Sequence, residues 1–211
     1  MDASSFYTLA KSYAQQEDTI ICVLHNAQPK TPCVNSQSFC GHLSQTAVIN
    51  FDAVKTVYCT NENIHPQLAS VDALTYKNGQ ILFVEIKSNK NFLQHQLKQT
   101  DTQETIDKKI KQQVKDYKLK KKIDDSRTVC KAICGDSHLF DTLPSIYVLV
   151  TDAETVTNPL QCIQMNLNIL AYNAIHLPRL NKALEEDMDS LGHTTRYVYC
   201  RNFDMFINSI K

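Results

Sequence analysis

The sequence predicts an α/β fold in which a mixed β-sheet is flanked by helices. Three observations carry this prediction: a hairpin within residues 70–87, a polar segment with helical spacing over residues 91–122, and an apolar strand over residues 145–151. Strands that alternate with helical segments are typical of α/β proteins. The chain has 211 residues, enough for one domain with a substantial core, and no linker-like stretch divides it. We expect a single domain, with a core over about residues 1–151 and an extension over about residues 152–211.

Hydrophobic periodicity and turn residues assign the other elements. Before the hairpin they predict a helix at 3–17, with Ser4 or Ser5 near its cap, and a short strand at 19–24. A loop at 25–44 and one or two further strands at 46–60 follow. After the long helix they predict an irregular segment at 126–143, with room for a short helix, and the apolar strand at 145–151. Two helices at 160–174 and 178–191, a last strand at 195–200 and a terminal helix at 202–210 follow.

The hairpin places three charged side chains together. Asn78-Gly79 lies between two apolar runs, and such a pair favours a type I′ turn because both central residues need positive φ. Folding the chain there pairs strands 70–77 and 80–87 so that Asp72 lies opposite Glu85, with Cβ atoms roughly 4.5–5.5 Å apart. Side chains alternate along a strand, so Lys87 shares the face of Glu85. The run Ile81 to Val84 is apolar on both faces, as in a buried central strand.

Two carboxylates and a lysine in one patch suit phosphodiester hydrolysis. Two close carboxylates resist sharing a dry site without a cation between them, and Mg²⁺ prefers oxygen ligands. A metal so held can activate water and polarise a phosphate oxygen. Lys87 would then orient the water or neutralise charge that develops on the phosphate. The alternative is a surface hairpin whose Glu-x-Lys is a solvated charge pair.

The string Asp72-x12-Glu85-x-Lys87, with an apolar strand leading into the Glu, resembles the PD-(D/E)xK nuclease superfamily, the restriction-endonuclease-like phosphodiesterases. Val71 stands where that family usually has Pro. The resemblance implies a restriction-endonuclease-like αβββαβ core and Mg²⁺ or Mn²⁺ as cofactor. It also implies Asp72, Glu85 and the backbone carbonyl of Ile86 as metal ligands, with Lys87 as the catalytic lysine.

The helix after the hairpin extends this resemblance. Apolar residues recur along it at helical spacing, and Gln113 and Tyr117 lie four apart on one face. Gln-x-x-x-Tyr after Glu-x-Lys is similar to the RecB-type and lambda-exonuclease-type branch of the superfamily, in which both side chains face the active site. The resemblance therefore adds Gln113 and Tyr117 to the catalytic site. The alternative is that Tyr117 is a core residue and Gln113 a bystander.

The same segment is the only strongly basic part of the chain. From Lys87 to Lys122 it has eleven lysines and four acidic residues, whereas the whole chain has a net charge of zero. Such asymmetry is typical of a phosphate-binding face, although a Lys-rich helix is more often a solvated surface. Lysine offers point charge rather than forked base recognition, so we expect contact with the nucleic-acid backbone. The predicted contacts are Lys108, Lys111, Lys115 and Lys118.

Other metal ligands are weaker candidates. Family members often add an acid from the first helix, and Glu17 is the matching residue here, with Asp18 and Glu62 as competitors. Some RecB-type members use a His before the Asp strand, which would be His65. Two sets of Cys and His residues have spacings that a structural zinc site could use, but neither contains Cys-x2-Cys. These sets are Cys130, Cys134 and His138, and Cys33, Cys40 and His42.

Composition excludes several classes. Four glycines and no Walker or Rossmann string argue against nucleotide-driven or redox chemistry. The chain has no run of about 20 apolar residues, so no membrane span is expected, and the first residues lack the pattern of a signal peptide. Eight cysteines without a secretory signal predict an intracellular protein, cytoplasmic or nuclear, with reduced thiols.

The sequence thus predicts a metal-dependent nuclease with DNA or RNA as partner. Restriction-type cutting of both strands would favour a homodimer. Two other interpretations remain open: a catalytically inactive nucleic-acid- or protein-binding module on the same fold, and an unrelated α/β protein whose Lys-rich helix binds an acidic partner.

Overall fold

A computed structural model of the chain describes residues 1–24, 43–152 and 167–211. Its centre is a five-stranded mixed sheet in the order β1-β2-β3-β4-β5. The first three strands are antiparallel and the last three are parallel. The strands are β1 Ile49–Asn50, β2 Ala73–Lys77, β3 Gln80–Lys87, β4 Ser145–Thr151 and β5 Thr195–Tyr199. The α/β class and the mixed sheet flanked by helices are confirmed.

The hairpin forms in the predicted register. Lys77 pairs with Gln80 and Ala73 with Val84. Asn78 and Gly79 have φ values of 46° and 78°, as a two-residue type I′ turn requires. The first strand begins at Ala73, three residues later than predicted, so Asp72 lies just before the ladder.

Four helices connect β3 to the parallel strand β4. They are α4 Asn89–His95, α5 Gln103–Tyr117, α6 Leu119–Cys134 and α7 Leu139–Thr142. The predicted single helix over 91–122 is wrong, because the chain leaves helical geometry after His95 and again at Lys118, where φ is 51°. The irregular segment predicted at 126–143 is also wrong over its first half. Buried residues at helical spacing, from Leu119 through Ile123 to Cys130, continue α6 to a left-handed cap at Gly135.

The N-terminal elements differ from the prediction. The first helix, α1 Ala3–Tyr13, ends before 17, and its cap is Asp2, whose carboxylate accepts the Ser5 N–H at 2.8 Å. The strand predicted at 19–24 is a single bridge from Thr19 to Val48 followed by one helical turn, α2 Ile21–Leu24.

Most of the strand predicted at 46–60 is a helix, α3 Phe51–Asn61. The Asn50 side chain caps its first turn by accepting the Ala53 N–H at 3.3 Å. The buried residues Phe51 and Val54 lie three apart, and this spacing fits one face of a helix.

The C-terminal elements complete the sheet. One helix, α8 Leu167–Asp189, replaces the two predicted at 160–174 and 178–191 and continues through Pro178. The part of the first helix at 160–166 lies outside the described residues. The last strand β5 and the terminal helix, α9 Phe203–Ser209, are confirmed. Since β5 pairs with β4, residues after 152 contribute directly to the central sheet.

Hydrophobic cores cover both faces of the sheet. Odd-numbered residues of β3, such as Phe83, face the larger core beneath α1, α3, α5, α6 and α8. Even-numbered residues, such as Val84, face a smaller core that includes Phe203 and Ile207 of α9. This alternation places Glu85 and Lys87 on the face covered by α5 and α6.

The prediction of reduced thiols is wrong at Cys200, which is disulfide-bonded. Cys22, Cys59, Cys130 and Cys134 form no disulfide in the described structure. In the described part of the chain, no helix combines the length and apolar character needed to cross a membrane.

Candidate active site

Asp72 and Glu85 meet where β2 begins and β3 approaches its end. The Asp72 side chain is about one-quarter exposed, and its Oδ2 accepts the Ile86 N–H at 2.6 Å. This bond holds Asp72 against the strand that carries Glu85. The Glu85 side chain is completely buried. The structure therefore brings the two predicted carboxylates together by local hairpin geometry.

Two lysines neutralise this carboxylate pair. Lys87 Nζ forms an ion pair with Glu85 Oε1, as its place two residues along the strand predicts. Lys122 Nζ lies 2.6 Å from the same oxygen and 3.9 Å from Asp72 Oδ1. Sequence reasoning counted Lys122 only as part of a basic cluster and missed this position. The available indication was its helical spacing from the buried residues Leu119 and Ser126, which places a charge on the buried face of α6.

The electrostatics of Glu85 are unusual for a glutamate. Burial, reinforced by the charge of Asp72, raises the pKa of Glu85 to about 7, although Lys87 and Lys122 both oppose this shift. Its Oε1 contacts both lysines, but no described residue hydrogen-bonds its buried Oε2. A buried oxygen without a partner is costly unless a ligand supplies one. This free lone-pair position suits a cation.

The pKa of Lys122 is raised as well, but for a different physical reason. Burial lowers the pKa of Lys122, but the negative charges of Glu85 and Asp72 outweigh burial and raise it above its ordinary value. Lys122 is therefore protonated throughout the physiological range. The cluster consists of two acids and two lysines, in which Glu85 contacts both lysines and Asp72 faces Lys122.

Tyr117 adjoins the cluster, and Gln113 contacts Tyr117. The ring centroid of Tyr117 lies 5.2 Å from Lys87 Nζ, within the range of a cation–π interaction. Burial raises the pKa of Tyr117 strongly, while hydrogen bonding from Gln113 lowers it, and Glu85 is among its charged neighbours. Tyr117 is therefore a neutral phenol that lies against Lys87. The contact fixes the direction of the Lys87 side chain relative to Glu85.

A second buried polar cluster lies beside Tyr117, at the carboxyl ends of β3, β4 and β5. The Tyr197 hydroxyl accepts from Asn89 Nδ2 at 2.9 Å and from Thr151 Oγ1 at 3.2 Å. Asp152 is fully buried and accepts from Ser88 Oγ and from the Lys90 N–H. No sequence pattern points to these residues, because they come together only when the parallel strands align.

The predicted nucleic-acid contacts lie elsewhere on α5. Lys108, Lys111, Lys115 and Lys118 are all exposed. Successive residues of a helix are about 100° apart, so Lys111 and Lys115 face away from Tyr117. Lys108 pairs with Glu104 at 2.7 Å on the same exposed side. The structure therefore does not bring these lysines into the Asp72–Glu85 cluster.

The weaker metal-ligand candidates also lie apart. Glu17 and His65 are exposed, and neither has a described contact with Asp72 or Glu85. Of the competing acids, Asp18 accepts the Tyr7 hydroxyl at 2.8 Å and pairs with Lys11 at 3.0 Å, and Glu62 is exposed. Asp18 is therefore paired with Tyr7 and Lys11, away from the Asp72–Glu85 cluster.

The described residues contain no group of three or more His, Cys, Asp or Glu side chains able to hold a metal. Cys130 is buried and His138 pairs with Asp141 at 2.9 Å, so no zinc site forms between them. Cys33, Cys40 and His42 lie outside the described residues.

The Asp72–Glu85 pair still fits a magnesium-type ion. Glu85 Oε2 has no hydrogen-bond partner in the described structure, and the Ile86 carbonyl is the predicted main-chain ligand. Mg²⁺ is commonly bound by one or two carboxylates while water and phosphate complete its coordination. Two acidic side chains are therefore sufficient for this ion.

Searches of family models, curated proteins and solved structures find no protein that matches this chain.

Proposed function

We propose that this chain is a divalent-metal-dependent nuclease of the PD-(D/E)xK type, built on a restriction-endonuclease-like core. The observation that carries the proposal is Glu85, a completely buried carboxylate beside a second carboxylate and in contact with two lysines. Burying such charges costs several kcal/mol per ion and stabilises a fold poorly compared with apolar packing. A buried, perturbed carboxylate at a strand end is more characteristic of a functional site.

Asp72, Glu85 and the Ile86 carbonyl are the proposed ligands of Mg²⁺ or Mn²⁺. A cation bound there would activate the attacking water and polarise a non-bridging phosphate oxygen. Asp72 keeps its place through the Ile86 N–H bond, which leaves Oδ1 directed toward the cluster. Glu85 offers Oε2, for which the described residues supply no hydrogen-bond donor.

Lys87 is the proposed catalytic lysine. Its ammonium would orient the attacking water and stabilise the negative charge that increases on the phosphate in the transition state. The water oxygen forms the new bond to phosphorus as the bond to the leaving oxygen breaks. Tyr117 supports Lys87 by packing its ring beside Nζ, and Gln113 contacts the Tyr117 hydroxyl.

DNA or RNA remains the proposed partner. The exposed lysines of α5 supply positive charge on the outer side of the helix whose inner side carries Tyr117. The exposed lysines and Tyr117 lie on opposite sides of α5. A nucleic acid that reaches Lys87 would have to pass around the end of this helix to contact the exposed lysines as well. We therefore assign these lysines to general attraction of the phosphate backbone rather than to the scissile phosphate.

A second candidate is a catalytically inactive binding module on the same fold. One observation favours it: the ion pairs of Lys87 and Lys122 already neutralise both carboxylates without a metal. In that case the cluster would be a closed internal network. The complete set of Asp72, Glu85 and Lys87 argues for the enzyme.

A cleavage assay distinguishes the two candidates. Labelled single- and double-stranded DNA and RNA would be incubated with the native protein and Mg²⁺, Mn²⁺ or EDTA. Metal-dependent cleavage is expected, and the Lys87→Met variant should lose it while still unfolding in one cooperative transition. The control is Lys120→Met, which removes an exposed lysine of α6 that pairs only with Asp124 in the described structure. Failure of the folded native protein to cut any of the four substrates would favour the binding module.

A further inference from the structure

Lys122 lies directly beside the position proposed for a bridging cation. Its Nζ contacts Glu85 Oε1 at 2.6 Å and lies 3.9 Å from Asp72 Oδ1, so a single ammonium spans both proposed metal ligands. Asp72 Oδ2 is already engaged by the Ile86 N–H. The oxygen of Asp72 that remains for a metal is therefore the one that faces Lys122.

The backbone of Lys122 is fixed relative to Asp72. The next residues of α6 hold the segment that leads into Asp72: Ser126 Oγ accepts the Val71 N–H at 3.0 Å, and Asp125 Oδ2 accepts the Ala69 N–H at 2.8 Å. Leu119 and Ile123, on either side of Lys122, are buried. The ammonium is consequently delivered to the carboxylates by a rigid helix rather than by a mobile surface chain.

The Lys122 side chain can nevertheless turn toward solvent. About one-fifth of it is exposed, and its four methylene groups allow the ammonium to turn toward solvent while the stem stays packed. A divalent cation between the same carboxylates would repel an ammonium a few ångströms away. The ammonium and the metal would therefore compete for Asp72 Oδ1 and for the charge of the Glu85 carboxylate, although they face different oxygens of Glu85.

We propose that Lys122 is a built-in counter-ion that occupies the carboxylate pair before metal binds and that a divalent metal must displace. The inference rests on the proposed function, since it takes Asp72 and Glu85 as metal ligands. It assigns Lys122 the role of setting metal affinity, a positioning role that differs from the catalytic role of Lys87. Without this ammonium, the buried Glu85 carboxylate and the partly exposed Asp72 carboxylate would repel each other; with it, the metal-free protein keeps the site assembled.

The test is a metal titration of the folded protein without any substrate. Mn²⁺ binding would be measured by calorimetry for the native chain, Lys122→Met, Lys122→Arg and Lys120→Met. Lys122→Met should bind Mn²⁺ at least about tenfold more tightly, the effect expected when one close competing charge is removed. Lys122→Arg keeps the charge and should remain near or below native affinity. Lys120→Met should match the native protein, because Lys120 is exposed and pairs with Asp124.

The direction of the change makes the test decisive. A residue that only supports the fold would weaken metal binding when replaced, so tighter binding by Lys122→Met cannot come from structural damage. Equal or weaker binding by a folded Lys122→Met would overturn the inference. If the native protein then still binds Mn²⁺ and Asp72→Asn does not, the proposed metal site stands without this role for Lys122. If neither the native protein nor Lys122→Met binds Mn²⁺, the proposed metal site itself fails.

Discussion

The protonation of Glu85 should control metal binding. Burial and the Asp72 charge raise the pKa of Glu85 to about 7, so the metal-free protein holds a proton on this carboxyl below that pH. A metal ligand must be deprotonated, and metal binding therefore releases this proton. The affinity for the metal therefore rises with pH up to about 7 and levels off above it, where Glu85 is already ionised.

The magnitude follows from a single titrating group. With a metal-free pKa of about 7, the apparent affinity should rise roughly 100-fold between pH 5 and pH 8, or about 3 kcal/mol. The number of protons released per metal should be about 0.9 at pH 6 and about 0.1 at pH 8. Lys122 stays protonated over this range, since its pKa is raised, so it adds no step to the profile.

Calorimetry can measure both quantities. Mn²⁺ would be titrated between pH 5 and pH 8 in pairs of buffers that differ in ionisation enthalpy, which gives the proton count independently of affinity. The Glu85→Gln variant is the control, because it cannot release a proton and should bind weakly at every pH. A native protein with flat affinity and no proton release below pH 7 would refute the reasoning.

Three further predictions concern single side chains. Asp72→Asn should weaken Mn²⁺ binding about 10- to 100-fold by calorimetry, because it removes one ligand charge; unchanged affinity would remove Asp72 from the metal site. Tyr117→Phe should keep cleavage within about threefold, whereas Tyr117→Ala should lower it about tenfold or more, because only the ring supports Lys87; equal rates for the two variants would contradict this. Phe83→Ala should lower the free energy of unfolding by about 3–5 kcal/mol in urea denaturation, since Phe83 is fully buried; a loss below about 1 kcal/mol would mean that the core is placed wrongly.

Local turn chemistry explains why part of the site could be predicted from the sequence. Asn78-Gly79 sets the hairpin register, and the register alone brings Asp72 next to Glu85. Lys87 follows from strand alternation. These contacts join residues at most 15 apart, so no knowledge of the remaining fold was needed.

Lys122 could not be found in the same way. It lies 37 residues after Glu85 and reaches that carboxylate only because α6 packs against the sheet. The left-handed residue Lys118 redirects the chain between α5 and α6, and positive φ at a lysine is rare and has no local sequence pattern. A single helix predicted over 91–122 does not give the direction in which the Lys122 side chain points.

The wrong assignment at 46–60 has a different cause. Alternating apolar and polar residues favoured a strand, but the Asn50 cap and the packing of Phe51 and Val54 against the core stabilise a helix. Tertiary contacts commonly override a short alternating pattern. The error does not change the pairing of Asp72 with Glu85, because the Ile86 N–H of the hairpin holds the Asp72 carboxylate. The helix adds one further contact, in which the Phe51 N–H donates to the Asp72 carbonyl at 3.0 Å.

Locating a bound metal by diffraction would show whether Asp72 and Glu85 together hold a divalent cation. Crystals grown with Mn²⁺ at pH 8 would be measured at a wavelength where manganese scatters anomalously. We expect one strong peak about 2.0–2.5 Å from Glu85 Oε2, Asp72 Oδ1 and the Ile86 carbonyl, with the Lys122 ammonium turned away. Crystals with Mn²⁺ in excess that show no peak at this position, and Lys122 still bridging both carboxylates, would contradict it.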